Sequence, residues 1–536
     1  MKRSTKAERW FDEGVQHYQA GDPQKALDAW ERAESLYRDL ISDNQPQYRP
    51  NLADTRMNQG VALRALNRPK DARARYEEAA AIYQDLIAAG QPQYRPDLAH
   101  TWMSQGNALS ALNRPEDARA RYEEAAAIYQ DLIAAGQPQY RPNLVKTLVN
   151  AATVYADRTD GLETAIVYLD LALEVWEGDE AIPAVAINDA PRLAALIHQT
   201  RSTVGLAARV ERLVRQIASA LSGVTPENLG QFYPLAEQAF ARLFGAALDE
   251  NAWDLALTVI GTARAQRLAK LAQADLLHRA AREDDPAELD KYRKALRRIA
   301  ELEILLNVGT GPGGGGTTSG RGGGEDAGKQ YQTLYSEYTA KRRELDGLEP
   351  TLRQQGLLPD LGAGLFDGAG LRNKLPPRAA LLVLVESGEP LANLVVVLTR
   401  AGGHTVLMEG GSAWTVRLEG ITETLKGRGR MLRDGPGLDT RTASAEANAS
   451  GTPQASADAQ AKALTETLAE QFWRPVQSVL GDEIETVWLL PTGDLHGLPW
   501  QASAPPDWRC RLAPAPWFVR QALDRTPAAA PPRWAR

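Results

Sequence analysis

A stretch of 46 residues is written twice in succession. The first copy, QPQYRPNLADTRMNQGVALRALNRPKDARARYEEAAAIYQDLIAAG, runs from Gln45 to Gly90, and the second follows at once from Gln91 to Gly136. The copies differ at seven of 46 positions. Self-similarity at a period of about 20–50 residues marks units that bury their apolar faces only by stacking on one another. Such a chain begins as a helical array or a solenoid, and the rest of its sequence has to be read against that.

Inside the unit, Leu52 to Leu66 reads as one helix, Asn67-Arg68 as a turn, and Pro69 to Ala88 as a second helix with proline in its first turn. Ala72, Tyr76, Ala79, Tyr83, Leu86 and Ile87 recur at helical spacing. Gly90 supplies the stop, and the two prolines of QPQYRP predict an extended connection. A small residue is followed by Ala, an aromatic and Ala at fixed offsets: Gly60, Ala72, Tyr76, Ala79, then Gly106, Ala118, Tyr122, Ala125, and earlier Gly14, Ala26, Trp30, Ala33. A fourth, degraded unit carries Ala165, Leu169 and Ala172. This pattern resembles the tetratricopeptide repeat, stretched here beyond that family's usual period of about 34 residues.

Composition narrows the function classes. The net charge of −7 leaves no basic footprint, so nucleic acid is not expected as a partner. A single cysteine, Cys510, excludes a disulfide framework and a cysteine zinc site. The histidines share no metal-ligand spacing, and no metal or cofactor is expected. No apolar run reaches the length of a membrane span, and MKRSTKAERWFDEG lacks the apolar core of a signal peptide. The expectation is a cytoplasmic protein, with the wealth of Ala, Arg and Gly pointing to a bacterial source.

Beyond the repeats (1–177), residues 178–306 continue as helices, with Trp253, Leu255, Ala256, Leu257, Ile260, Ala263, Leu268 and Leu271 on one buried face. A Gly-rich linker spans 307–330; its G-x-G-x-x-G match at Gly309–Gly314 lacks the helix and acidic partner of a dinucleotide site. From Tyr331 a helix leads into a region of changed period. Arg378–Glu386, Asn393–Arg400, His404–Glu409 and Ile484–Leu490 read as strands alternating with helices, with a disordered insertion at about 434–460. Residues 331–536 therefore predict an α/β domain with a parallel sheet.

Helical repeats, the segment ALTVIGTARAQRLAKL and the strand-turn VWLLPTGDLHGLPWQA (Val487–Ala502) together resemble the CHAT family of caspase-like domains. The expected fold is thus an α-helical tetratricopeptide-like solenoid followed by a partial α/β caspase-like domain. The resemblance implies a cysteine endopeptidase whose His and Cys lie on strands after that motif. Here no His follows His496 and the one cysteine is Cys510, so no catalytic pair is assigned. Two readings follow: a regulatory scaffold that binds a protein or peptide and carries a catalytically incomplete domain, or a protease whose catalytic half is missing from this chain or supplied by a complementing partner.

The seven differences fall at 51/97, 54/100, 56/102, 58/104, 61/107, 64/110 and 70/116, mostly on the first helix. In arrays that resemble this one the first helices line the concave groove. The resemblance places Asp54, Val61 and Arg64, then His100, Asn107 and Ser110, on that face, with Glu8, Val15 and Tyr18 before them and Lys146 and Thr153 after them as the expected partner-binding residues.

Overall fold

The computed structural model describes residues 3–177 apart from 157 and 159, 183–278 apart from 227, 285–308, 324–358, 365–385, 394–407, 462, 465–491 apart from 482, and 500–524 apart from 514. They form two compact units, Met1–Leu243 with Gln266–Asp360, and Phe244–Ala265 with Leu361–Arg536.

The first unit opens with four helical pairs: α1 (Arg3–Gln19) and α2 (Pro23–Ser42), α3 (Arg49–Ala65) and α4 (Pro69–Ala88), α5 (Arg95–Ala111) and α6 (Pro115–Ala134), α7 (Arg141–Ala156) and α8 (Leu162–Glu177). Each expected pair is present. The turn between partners uses an asparagine at positive φ, Asn67 at 57° and Asn113 at 55°, a conformation that asparagine tolerates better than most residues. The small residue of the motif sits where two helices touch: a Cβ on Gly14, Gly60 or Gly106 would lie 2.4, 2.5 or 2.6 Å from the ring of Trp30, Tyr76 or Tyr122.

The connection departs from the sequence expectation. Pro46–Tyr48, Pro92–Tyr94 and Pro138–Tyr140 each close a 3-10 turn rather than running extended. The cause is the tyrosine, which stacks back on the second helix: Tyr37 on Tyr48, Tyr83 on Tyr94 and Tyr129 on Tyr140, with ring centroids 6.1, 6.2 and 6.0 Å apart. The next residue locks it, Arg49 pairing with Asp85 and Arg95 with Asp131 at 2.6 Å. Successive first helices α3, α5 and α7 touch one another.

The unit continues through α9 (Pro183–Gln199), α10 (Leu206–Gly223), α11 (Leu229–Asp249) up to Leu243, α12 (Trp253–His278) from Gln266, α13 (Ala287–Val308) and α14 (Gly324–Gln354). Buried Lys270 caps α10, its Nζ donating to the carbonyls of Ser222 at 3.0 Å and Val224 at 2.7 Å. Buried Glu303 holds the following turn by accepting from Thr225 Oγ1 at 2.9 Å and Asn228 Nδ2 at 2.8 Å. Three expectations are corrected here. Leu271 is exposed, because α12 turns its polar Lys270 and Gln273 inward to serve α10. The helix α14 starts at Gly324, so the end of the 307–330 stretch is helical. It also groups with α13, through contacts that include Arg298–Glu337 at 2.7 Å, rather than with the sheet.

The second unit holds β1 (Ala379–Val385), β2 (Leu394–Thr399), β3 (Gly403–Leu407), β4 (Thr486–Leu490) and β5 (Arg509–Leu512), in the order β3-β2-β1-β4-β5. The four expected strands are present, but the sheet is mixed rather than parallel. β1 pairs antiparallel with β2, Ala380 opposite Thr399, and parallel with β4, Ala380 opposite Val487. A short connection forces the first pairing, since parallel neighbours need a crossover. α15 (Gly368–Lys374), α16 (Arg474–Leu480), α17 (Trp500–Ser503) and α18 (Pro516–Asp524) complete it. Leu382, Val397 and Leu489 from the strands meet Phe472, Trp473 and Trp500 in the core. The N-terminal half of α12 belongs here: Arg264 donates to the carbonyls of Leu384 at 3.1 Å and Leu490 at 3.3 Å, at the ends of β1 and β4. Thr262 Oγ1 accepts from the Phe366 N–H at 2.9 Å.

The strand β5 and helix α18 answer to no element in the sequence reading. The insertion at 434–460, the glycines of 309–314 and the motif residues 492–499, His496 among them, lie outside the described residues.

Candidate functional site

The first helices carry the candidate face, and the repeat register explains how it is built. Positions 54, 100 and 146 recur at intervals of 46, so Asp54, His100 and Lys146 fall in one row along α3, α5 and α7. Lys146 acts electrostatically on His100 and, after burial and Arg192, on Asp189 of α9.

Burial sets the chemistry of this row. Asp54 is 7% exposed, and Tyr83 on α4 donates its hydroxyl to Oδ1 at 2.5 Å, while Oδ2 is buried without a partner. Burial, then the charge of Asp97, pushes the Asp54 carboxyl up to about 7. His100 goes the other way: burial, then the charge of Lys146, lowers it to about 4. At neutral pH Asp54 is near half-protonation and His100 is neutral, so the two can donate and accept hydrogen bonds.

These shifts have opposite consequences for stability. A native Asp54 holds its proton up to about pH 7, whereas an unfolded one loses it near its ordinary value of 3.8, so rising pH through that window destabilises the fold. Native His100 resists protonation down to about pH 4 against an ordinary 6.5, so falling pH through that window destabilises it too. Asp54→Asn keeps an acceptor for Tyr83 and removes the charge. It is expected to match the wild type near pH 4 and to be about 1–3 kcal/mol more stable at pH 8, by urea denaturation at both pH values. An equal gain at both would mean that ionisation of Asp54 is not the cause.

The other expected residues divide. Arg64 and Thr153 are exposed, and Glu8, Lys146 and Ser110 are partly so. Val15, Tyr18 and Val61 pack instead against the core that holds Trp30 and Tyr76. Asn107 is a joint rather than an open group. Its Oδ1 accepts from Tyr122 at 2.8 Å and from Asn150 at 3.0 Å, and Asn150 in turn accepts from Arg192 at 2.6 Å. Asp54, too, is turned largely into the protein by Tyr83. Asp189, Asn150 and Arg192 were missed, and no repeat register reaches α9 to find two of them. Position 150 shares its register with Asn58 and Ser104, one of the seven differences, and that was its signal.

Cys510 stands on β5, pairing opposite Val487 of β4. Burial pushes its thiol up to about 12, the reverse of what a cysteine nucleophile requires. Among the described residues no helix is long and apolar enough to cross a membrane.

Comparison with known families gives one finding: the family described as tetratricopeptide repeat matches residues 52–92, which cover most of α3 and all of α4. No curated protein matches the chain.

Proposed function

We propose that this protein is a scaffold whose helical array binds a protein or peptide segment along the first helices, and that its sheet-containing unit is a catalytically incomplete caspase-like domain with a regulatory role. The repeat match at 52–92 supports a protein-interaction scaffold. The observation that carries the location is the row Asp54, His100, Lys146, in which near-identical units differ in charge at one register position. Asp54 is buried and His100 partly buried, so drift at freely exposed sites does not account for this exchange. The raised thiol pKa of Cys510 speaks against a nucleophile at that position, while the alternative, a protease whose catalytic half is missing from this chain or supplied by a partner, does not depend on Cys510.

The test exchanges residues between copies, Asp54→His with His100→Asp and Arg64→Ser with Ser110→Arg, so that composition and repeat type are kept. Partners are captured from the parent cell extract by cross-linking and identified by mass spectrometry. The exchanged protein is expected to lose the main cross-linked partner while keeping its helical signal. An unchanged set of partners would sink the first-helix site.

A further inference from the structure

The three joints between second helices are not alike. Positions 56, 102 and 148 occupy one register position on α3, α5 and α7. In the first joint Arg56 bridges α2 and α4, pairing with Glu34 at 3.0 Å and Glu78 at 3.3 Å. In the second the residue is Trp102, which packs partly buried against the cluster that holds Ala80 and Tyr83. In the third it is Leu148, and there a groove of about 560 Å³ opens between α6 and α8.

The wall on α8 has changed as well. Aligning Ala165, Leu169 and Ala172 with Ala118, Tyr122 and Ala125 sets Val167 against Ala120 and Leu171 against Glu124. Val167 is 57% and Leu171 38% exposed, and one helical turn separates them, so they form a patch rather than scattered apolar residues. Ala126 and Ala127 of α6 make the opposite wall. Two carboxylates flank the opening: Glu123, which accepts from the Tyr168 hydroxyl at 2.6 Å and pairs with Arg119 at 3.4 Å, and Glu163; none of the described residues lining the groove itself is basic.

We infer that this groove receives an aromatic side chain, an indole above all, from a peptide segment of another protein that carries arginine or lysine next to it. The preceding joint shows the fit, since an indole already stands at the matching register there. Glu163, together with Glu123 shared with Arg119, supplies the charge complementarity, and an aromatic anchor in an apolar pocket beside a polar rim is how small interfaces gain most of their affinity. This inference rests on reading the array as a peptide scaffold, but places the contact on the second helices, away from the row Asp54, His100, Lys146.

The experiment uses the full chain and a fluorescein-labelled peptide Ala-Arg-Trp-Arg-Ala, followed by fluorescence anisotropy. Saturable binding with a Kd of about 10–100 μM is expected, weakened about tenfold or more when Trp becomes Ala, and about fivefold or more in Ala-Glu-Trp-Glu-Ala. Leu148→Trp fills the groove as Trp102 fills its own, so it is expected to abolish binding with an unchanged or raised melting temperature. Val167→Ala with Leu171→Glu restores the α6 pattern at exposed positions, and is expected to weaken binding as strongly without touching the core. No saturation by about 1 mM, wild-type affinity in both variants, or equal affinity for the acidic peptide would overturn the inference. The four-residue exchange between copies is expected to leave this binding unchanged; its loss there instead would place the site on the first helices and overturn the inference as well. Failure here leaves the cross-linking result free to stand, so the two readings are separable.

Discussion

Gly60→Ala is expected to destabilise the array by about 2–3 kcal/mol, although alanine is the better helix former. The added methyl would lie 2.5 Å from Cε1 and 2.8 Å from Cδ1 of Tyr76, a ring with no exposed surface and so no direction in which to swing. Either α3 moves off α4, opening the core around Ala72 and Ala79, or the ring leaves its rotamer. Urea denaturation followed by far-UV circular dichroism measures the loss. In a Tyr76→Leu background, where the ring is gone, the same substitution is expected to cost less than half as much, giving a coupling of about 1 kcal/mol or more. Additive costs would mean that the glycine is there for some reason other than the approach of that ring. Gly106 against Tyr122 is expected to behave alike, with a Cβ approach of 2.6 Å.

Arg264→Leu is the second large effect, expected to cost the sheet unit about 2–4 kcal/mol. The guanidinium serves carbonyls of both Leu384 and Leu490, at the ends of two parallel neighbours in the middle of the sheet. Leucine keeps the apolar base of the side chain but is shorter, and leaves both acceptors without that donor. Arg264→Lys is expected to fall between, since one ammonium cannot reproduce the planar fork. Near-UV circular dichroism reports on the packed Trp473, Trp500 and Trp508, and hydrogen exchange on the amides of β1 and β4. Wild-type protection in the leucine variant would refute the role. The same geometry bears on fragments: a piece beginning at Tyr331 lacks Arg264, Thr258 and Thr262, and with them the donors and acceptors that hold the strand ends and residues 366–368.

What could be read in the sequence follows from what repeats. The pairs α1 to α8 were visible because small residue, Ala, aromatic and Ala recur at fixed offsets, and the strands β1, β2 and β4 because their Leu and Val runs are continuous. β5 escaped because Arg509-Cys510-Arg511-Leu512 is short and charged, the pattern of an edge strand guarded against further pairing rather than of a core. The split of α12 escaped for another reason. Periodicity tells which face of a helix is apolar but not what covers it, and Arg264 and Lys270, six residues apart, serve different units. At the candidate face, the register located Asp54, His100 and Lys146, yet could not show that Tyr83 turns Asp54 inward or that Asn150 occupies Asn107. Differences at 56/102 were also in plain view. Their meaning depends on Leu148, whose short side chain opens the groove only when α8 stands beside it.

The tyrosine stacks that close each connection have an evolutionary reading. Tyr37–Tyr48, Tyr83–Tyr94 and Tyr129–Tyr140 repeat within 0.2 Å of one another in centroid separation, and the connection QPQYRP is written identically in all three. The connection is therefore interchangeable between units, although the helix contacts made at positions 56, 102 and 148 are not. Unequal recombination between the two copies adds or deletes 46 residues and leaves a seamless fold: loss of residues 60–105 would splice Gln59 to Gly106 and produce one hybrid unit with its turn, stack and ion pair intact. Such a deletion removes His100 and Trp102 together while keeping Asp54 and Arg56. Copy number can thus change without breaking a turn or a stack, at the cost or gain of one interface between units, and each change rewrites the proposed recognition surface by a whole unit at a time.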